Sequence, residues 1–329
     1  MKAGIHAGDV ILKVNDTVIK GMNLNEVIRL IKGDPKSTVT LQVRRAGYDL
    51  PIDFRMERAS IKIQNVEYGI IDQHNVGYIR IKSFALDTSS EVEKALASFR
   101  KGKIDKIIID LRFNPGGLLN SAIEVSNMFL ARGATIVSTR GREGVNPEQI
   151  FKTEKNPIAP KEKLVVLINK GSASASEIFA GAVRDNKRGT LVGEQTFGKG
   201  SVQKSFEIGK NIGLAITVAL YYTPSGESIH KKGINPDIEV LPYRFLNEEM
   251  IYINRINNEN LINEFIKKDM VYNETAREQF VEFLKSKDIT LSSRSADLLL
   301  SSGLNRVRKR PLYDLEFDDQ LVKALEMIK

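Results

Sequence analysis

Cysteine and tryptophan are both absent from the 329 residues. Without cysteine the chain forms no disulfide, runs no thiol chemistry and offers no cysteine-ligated zinc. Histidine is scarce: His6, His74 and His230 lie far apart and give no His-Glu-x-x-His spacing, so no metal and no cofactor are expected. Long apolar runs are missing too. The longest, near Leu214 to Tyr222, is about half of what a membrane span needs, so no integral membrane segment is expected. No signal-peptide pattern precedes Ala3-Gly4-Ile5-His6-Ala7-Gly8-Asp9. Charge of one sign is not concentrated: 49 Lys+Arg against 41 Asp+Glu leave +8 over the whole chain. The densest basic cluster, Arg306 to Arg310, reads as a solvated face, and nucleic acid is not an expected partner.

What is present is an ordinary globular mixture, 42% hydrophobic and 27% charged, at a length suited to two or three domains. Residues 1–59 form a first small unit. Val10 to Asn15 reads as a buried strand, Leu24 to Ile31 as an amphipathic helix capped by Asn23, and Val39 to Val43 as an alternating strand. From residue 60 to about 242, strands and helices alternate. Strands are expected at Val76 to Ile81, Lys106 to Asp110, Leu164 to Asn169, Thr190 to Gly193, Gln203 to Ile208 and Leu214 to Tyr222. A helix opens on a Thr88-x-x-Glu91 capping box and ends at Gly102, and another runs from Leu118 to Arg132. This alternation predicts an α/β layer fold. Residues 243–329 are expected to be a helical region, with amphipathic helices at Ala276 to Lys285 and Asp318 to Ile328.

Two glycine-bounded segments gather small polar residues. Gly171-Ser172-Ala173-Ser174-Ala175-Ser176-Glu177 links a buried strand to a helix. Such a turn exposes backbone N–H groups suited to a developing oxyanion. The same residues also fit a plain capping box, Ser174-x-x-Glu177. Gly193-Glu194-Gln195-Thr196-Phe197-Gly198-Lys199-Gly200 nearly spells a phosphate-binding loop. It lacks the hydroxyl residue after the lysine, and it leads into a strand rather than a helix, which excludes that reading. Lys199 is then either a surface turn residue or, if buried, an amine that sheds its proton readily and serves a serine as base. Gln203, four residues on, is expected on the same face and able to orient that amine. Asp110-Leu111-Arg112-Phe113-Asn114-Pro115-Gly116-Gly117 leaves a strand by a glycine turn, either a simple connector or a source of further N–H donors.

Together these segments resemble the carboxyl-terminal processing, or tail-specific, proteases, serine peptidases with a Ser–Lys pair. The resemblance is carried by GYIRIKSF (77–84), IDLRFNPGG (109–117), GSASASEIFAGAVRDNKRGTLVGEQTFGKGSVQ (171–203) and YYTPSGESIHKKGINPD (221–237), in family order. It implies Ser174 as nucleophile, Lys199 as base and Gln203 as the residue that orients the lysine. It puts the oxyanion hole at the backbone N–H groups of Gly116, Gly117 and Ala175. Asp185 has a possible supporting role. Eleven helical residues place it roughly 16 Å from Ser174, which makes it structural. His230 falls in the family's substrate-side hairpin without forming a triad.

The resemblance further implies a crotonase-like superhelical α/β core over 60–242 and a PDZ unit over 1–59. The expectation for that unit is a PDZ domain lacking its upstream carboxylate loop, with the family's signal peptide or membrane anchor also outside the sequence. Protein or peptide substrates with free C-termini are the implied partners, and the implied location is extracytoplasmic, periplasmic or membrane-associated. A ligand-binding module on the same core, without turnover, is the alternative; retention of Ser174, Lys199 and Gln203 together argues for the enzyme.

Overall fold

The computed structural model describes residues 5, 9–45, 50–60, 64–142, 146–209, 212–267, 270–307 and 311–329. Of the segments singled out above, Ala3, Gly4, His6, Ala7, Gly8 and residues 308–310 lie outside the described residues. The chain divides into two compact units, Met1–Ile63 with Phe245–Pro311, and Gln64–Arg244 with Leu312–Lys329.

The first unit begins with β1 (Val10–Val14), β2 (Thr17–Val18), α1 (Leu24–Ile31), β3 (Thr38–Arg44) and β4 (Ile52–Glu57). These strands pair antiparallel in the order β2-β1-β3-β4. Alternate residues of β3 turn inward, so Val39, Leu41 and Val43 meet Val14 and Val27 in a small core. Asn23 caps α1 as expected. Its side chain accepts the Glu26 N–H at 3.1 Å, and the Glu26 carboxylate accepts the Asn23 N–H at 2.8 Å.

The second unit opens with β5 (Val66–Ile71), β6 (Val76–Ile81), α2 (Thr88–Lys101), β7 (Lys106–Asp110), α3 (Leu119–Asn127), β8 (Thr135–Gly141) and β9 (Gln149–Lys152). It continues with β10 (Lys163–Ile168), α4 (Ala175–Asp185), β11 (Thr190–Gly193), β12 (Ser201–Gly209), β13 (Ile212–Tyr222) and β14 (Ile238–Glu239). Among the described residues the main sheet runs β14-β11-β10-β7-β6-β5, parallel except for the β5–β6 pair. A second, antiparallel sheet runs β12-β13-β8-β9.

Strands buried on both faces read as uninterrupted apolar runs, and here each run divides by parity. Ile107 and Ile109 of β7, with Leu164, Val166 and Ile168 of β10, pack with Phe99 of α2, Val125 of α3 and Phe179 of α4. Ile108, Val165 and Leu167 point the other way and meet Leu321, Ala324, Leu325 and Ile328. Two local expectations change. Thr88 does not cap α2, because its hydroxyl donates to the Ser83 carbonyl and accepts the Ala85 N–H, both at 2.9 Å; Asp87 holds the cap position. The helix expected to reach Arg132 ends at Asn127, since the Met128 carbonyl accepts the N–H groups of Ile158 and Ala159 instead.

After Arg244 the described residues hold α5 (Met250–Asn258), α6 (Leu261–Phe265), α7 (Glu274–Lys285), α8 (Ser293–Val307) and α9 (Asp319–Met327). The first four share a core around Ile256, Phe280 and Leu300. The helical stretch expected as one region over 243–329 is therefore divided. Helix α9 belongs with the second unit, because its apolar stripe covers one face of the main sheet. Among the described residues no helix is long and apolar enough to cross a membrane.

Candidate active site

Strands β7, β10 and β11 are adjacent and parallel, so the turns that leave their carboxyl ends emerge side by side. In open parallel sheets that edge is where ligands bind. Here the three turns are residues 111–117, 169–174 and 194–200, the three segments singled out in the sequence.

The turn after β10 is tied down by small side chains. Asn169 Oδ1 accepts the N–H groups of Gly171 and Phe113, both at 2.9 Å. The Ser172 hydroxyl donates to the Leu111 carbonyl at 2.8 Å, and the Ser176 hydroxyl donates to the Asn114 carbonyl at 3.0 Å. At the end of this turn Ser174 stands at φ 55°, ψ −113°, immediately before α4. A positive φ on a residue with a Cβ costs about 1–3 kcal/mol and recurs where a strand-to-helix turn holds a nucleophile up to solvent. The Ser174 side chain makes no cap hydrogen bond, and Ser174 is half-buried.

Glu177 is fully buried and joins two of the turns. Its Oε2 accepts the N–H groups of Ser174 at 2.7 Å and Lys199 at 2.9 Å. Its Oε1 accepts the Thr196 hydroxyl and the Gly198 N–H, each at 2.6 Å. In sequence Glu177 is legible only as the far half of a capping box, and that half is made. The other three contacts, to Thr196, Gly198 and Lys199 about twenty residues downstream, give no sequence signal.

The turn after β7 reaches the same point. A Cβ built on Gly116 would lie 2.8 Å from Ser174 Cβ and 2.9 Å from the Ala175 nitrogen, and Gly116 has φ +99°. Only glycine allows that approach. The Gly116 N–H, however, donates to Asn114 Oδ1 at 2.9 Å. It is therefore spent inside the turn, contrary to its expected place in an oxyanion hole. Among the described residues the N–H groups of Gly117 and Ala175 carry no hydrogen bond to protein acceptors. At the root of this turn Asp110 accepts the Tyr78 hydroxyl at 2.6 Å and the Arg112 guanidinium at 2.6 and 3.0 Å. Burial alone pushes the Asp110 carboxyl up, but the Arg112 charge and these hydrogen bonds hold it below the usual carboxylate range. Burial, reinforced by the Asp110 charge, pushes the Tyr78 hydroxyl up.

Of the two readings open for Lys199, the structure shows the surface one. Lys199 is exposed, not buried. The flanking glycines occupy the inside positions. A Cβ on Gly200 would lie 2.3 Å from the His230 nitrogen, and the Gly198 carbonyl accepts the Lys231 N–H at 2.8 Å. Gln203 is exposed as well, and at its position the partner strand β13 carries an extra residue, Val218, between Ala219 and Thr217. Among the described residues no hydrogen bond links the side chains of Ser174, Lys199 and Gln203. His230 Nδ1 is buried without a partner. Asp185 lies at the far end of α4. It accepts the Arg184 guanidinium at 2.8 Å and the Ser225 N–H at 2.9 Å. Burial pushes its carboxyl up, yet the bonds from Thr223, Arg184 and Ser225 leave it below its ordinary range.

Residues 75–240 match the model of peptidase family S41, and residues 1–45 match a PDZ domain. The carboxy-terminal-processing protease of Bartonella bacilliformis is 43% identical over 243 residues, covering 73% of this chain and 55% of that protein. The carboxy-terminal processing protease CtpA of Bacillus subtilis is 41% identical, covering 72% of this chain and 50% of that protein. Among solved structures, a photosystem II D1 C-terminal processing protease superposes with TM-score 0.50 at 33% identity, over 73% of this chain and 64% of that one. The chain spans about half the length of the curated relatives it matches. With the matched family model covering half of its residues, this chain belongs to peptidase family S41.

Proposed function

We propose that this protein is a serine endopeptidase that cleaves proteins near their C-termini by a Ser–Lys mechanism on a crotonase-like core. The observation that carries the reading is the contact of Gly116 with Ser174 and Ala175, which sets a glycine turn against a serine held at positive φ. Ser174 is the nucleophile. The Lys199 amine takes the hydroxyl proton as Oγ attacks the peptide carbonyl. The tetrahedral oxyanion is received by the N–H groups of Ala175 and Gly117, which have no protein acceptor among the described residues. Lys199 returns that proton to the leaving nitrogen, the amine product departs, and a water deprotonated by the same lysine releases the acyl group from Ser174. Gln203 orients the lysine, and Asp185 is structural. Lys199 is exposed, and Glu177 holds its peptide unit by the same carboxylate oxygen that holds Ser174, so this mechanism requires the lysine side chain to turn toward Ser174 when the substrate binds.

The substrates are proteins or peptides with free C-termini, and the location is extracytoplasmic. The exposed, unpaired Lys199 favours one other reading, a ligand-binding module without turnover. Hydrolysis of a soluble protein substrate separates the two. An endopeptidase yields new fragments with wild type and none with Ser174→Ala. A binding module yields none with either.

A further inference from the structure

Arg112 sits at the first bend of the 111–117 turn, and its guanidinium is shared between two carboxylates. Nε and Nη2 hold Asp110, while Nη1 and Nη2 each donate to a separate oxygen of Asp318 at 2.6 Å. Nη1 also donates to Gln320 Oε1 at 3.1 Å, and Gln320 Nε2 donates to the Val240 carbonyl at 2.7 Å. Asp318 is the N-cap of α9, its Oδ1 accepting the Leu321 N–H at 3.0 Å. The side chains of Asp110, Arg112 and Asp318 are 2%, 13% and 21% exposed, so water does little to loosen the pair.

A guanidinium gripped on both edges by bidentate partners cannot swing about its long axis. Its backbone is thereby fixed as well, since the Arg112 N–H donates to Asp110 Oδ1 at 2.9 Å. Two residues on, Asn114 locks the turn to its neighbours, donating to the Ile81 carbonyl at 2.8 Å and receiving the Ala173 N–H at 3.0 Å. The apolar stripe of α9 packs that helix on the sheet independently of the fork, through Leu321, Ala324, Leu325 and Ile328. A largely desolvated ion pair adds little net stability of its own. What the Arg112–Asp318 fork contributes is a defined position for the turn.

We propose that Asp318 is a positioning residue for the Ser174 site, acting through Arg112 to hold the 111–117 turn against Ser174 and Ala175. The segment Leu312–Lys329 is then part of the working assembly rather than a tail. This inference rests on the assignment of Ser174 and its oxyanion donors made above.

The test uses the full chain with Asp318→Ser and Asp318→Glu. Serine keeps an N-cap acceptor for Leu321 but is too short to grip the guanidinium, while glutamate keeps the carboxylate. Hydrogen exchange should speed up in residues 112–117 of Asp318→Ser, with α9 still protected. For peptide hydrolysis kcat should fall on the order of tenfold with KM little changed, while the melting midpoint drops but leaves the protein folded at the assay temperature. Asp318→Glu should restore most of the rate. Unchanged exchange in 112–117, unchanged kcat, or a rate loss matched by loss of folded protein would each overturn the proposal. A wild type without Ser174-dependent hydrolysis would fail the catalytic reading instead, whatever the exchange shows.

Discussion

The Lys199 N–H donates to Glu177 at 2.9 Å, through the same carboxylate oxygen that receives the Ser174 N–H. One buried group thus sets the backbone of both proposed catalytic residues. Glu177→Gln keeps the shape but turns an NH2 toward two of the four donors. It should cost about 1–3 kcal/mol of stability, read by denaturant unfolding. Proteolysis should fall at least tenfold, since both the nucleophile and the base lose their registration. Activity near wild type in Glu177→Gln would show that the clamp is dispensable.

Ser174→Ala and Lys199→Ala should each abolish proteolysis and leave the fold intact, because in the proposed mechanism both side chains serve one proton transfer. The double variant should be no worse than either single one. Gln203→Ala should reduce the rate less. A Lys199→Ala variant retaining more than about a tenth of the wild-type rate would remove the lysine as base.

Gly116→Ala forces a methyl group to within 2.6 Å of the Ala173 carbonyl oxygen at a φ of +99°. The turn must shift away from Ser174. Expected are a stability loss of roughly 1–3 kcal/mol and a larger loss of kcat than of KM. Steady-state kinetics beside a thermal melt check both.

Acid should weaken the second unit through Asp110. Its folded carboxyl is held below the ordinary range of about 4, so the unfolded chain binds the extra proton first as pH falls. Stability is full above the unfolded value and is lost as pH drops through the folded one. Melting midpoints of wild type should therefore decline below about pH 4. Asp110→Asn should melt lower at neutral pH and show a shallower acid decline. Parallel curves for the two proteins would contradict this.

Much of this architecture was readable where one residue type answers one local requirement. The apolar run Ile107-Ile108-Ile109 marks a strand buried on both faces, and Asn23 with Glu26 marks a helix start. The Ser174 turn and the glycines around Lys199 were legible because small residues bounded by glycine permit sharp chain reversals. What stayed hidden depends on partners distant in sequence. Thr88 spends its hydroxyl on Ser83 and Ala85, and Asn114 consumes the Gly116 N–H that seemed available. The choice between the two readings of Lys199 had no sequence signal, because it is its two glycine neighbours, not the lysine, that fill the space beside His230 and Lys231. No spacing rule links Arg112 to Asp318.

The most direct measurement of the Ser–Lys assignment is covalent labelling with a serine-reactive phosphonate, mapped by peptide mass spectrometry. Labelling should fall on Ser174 in the wild type, and it should be lost in Ser174→Ala and strongly reduced in Lys199→Ala. A wild type that labels elsewhere, or a Lys199→Ala variant that labels Ser174 at the wild-type rate, would contradict it.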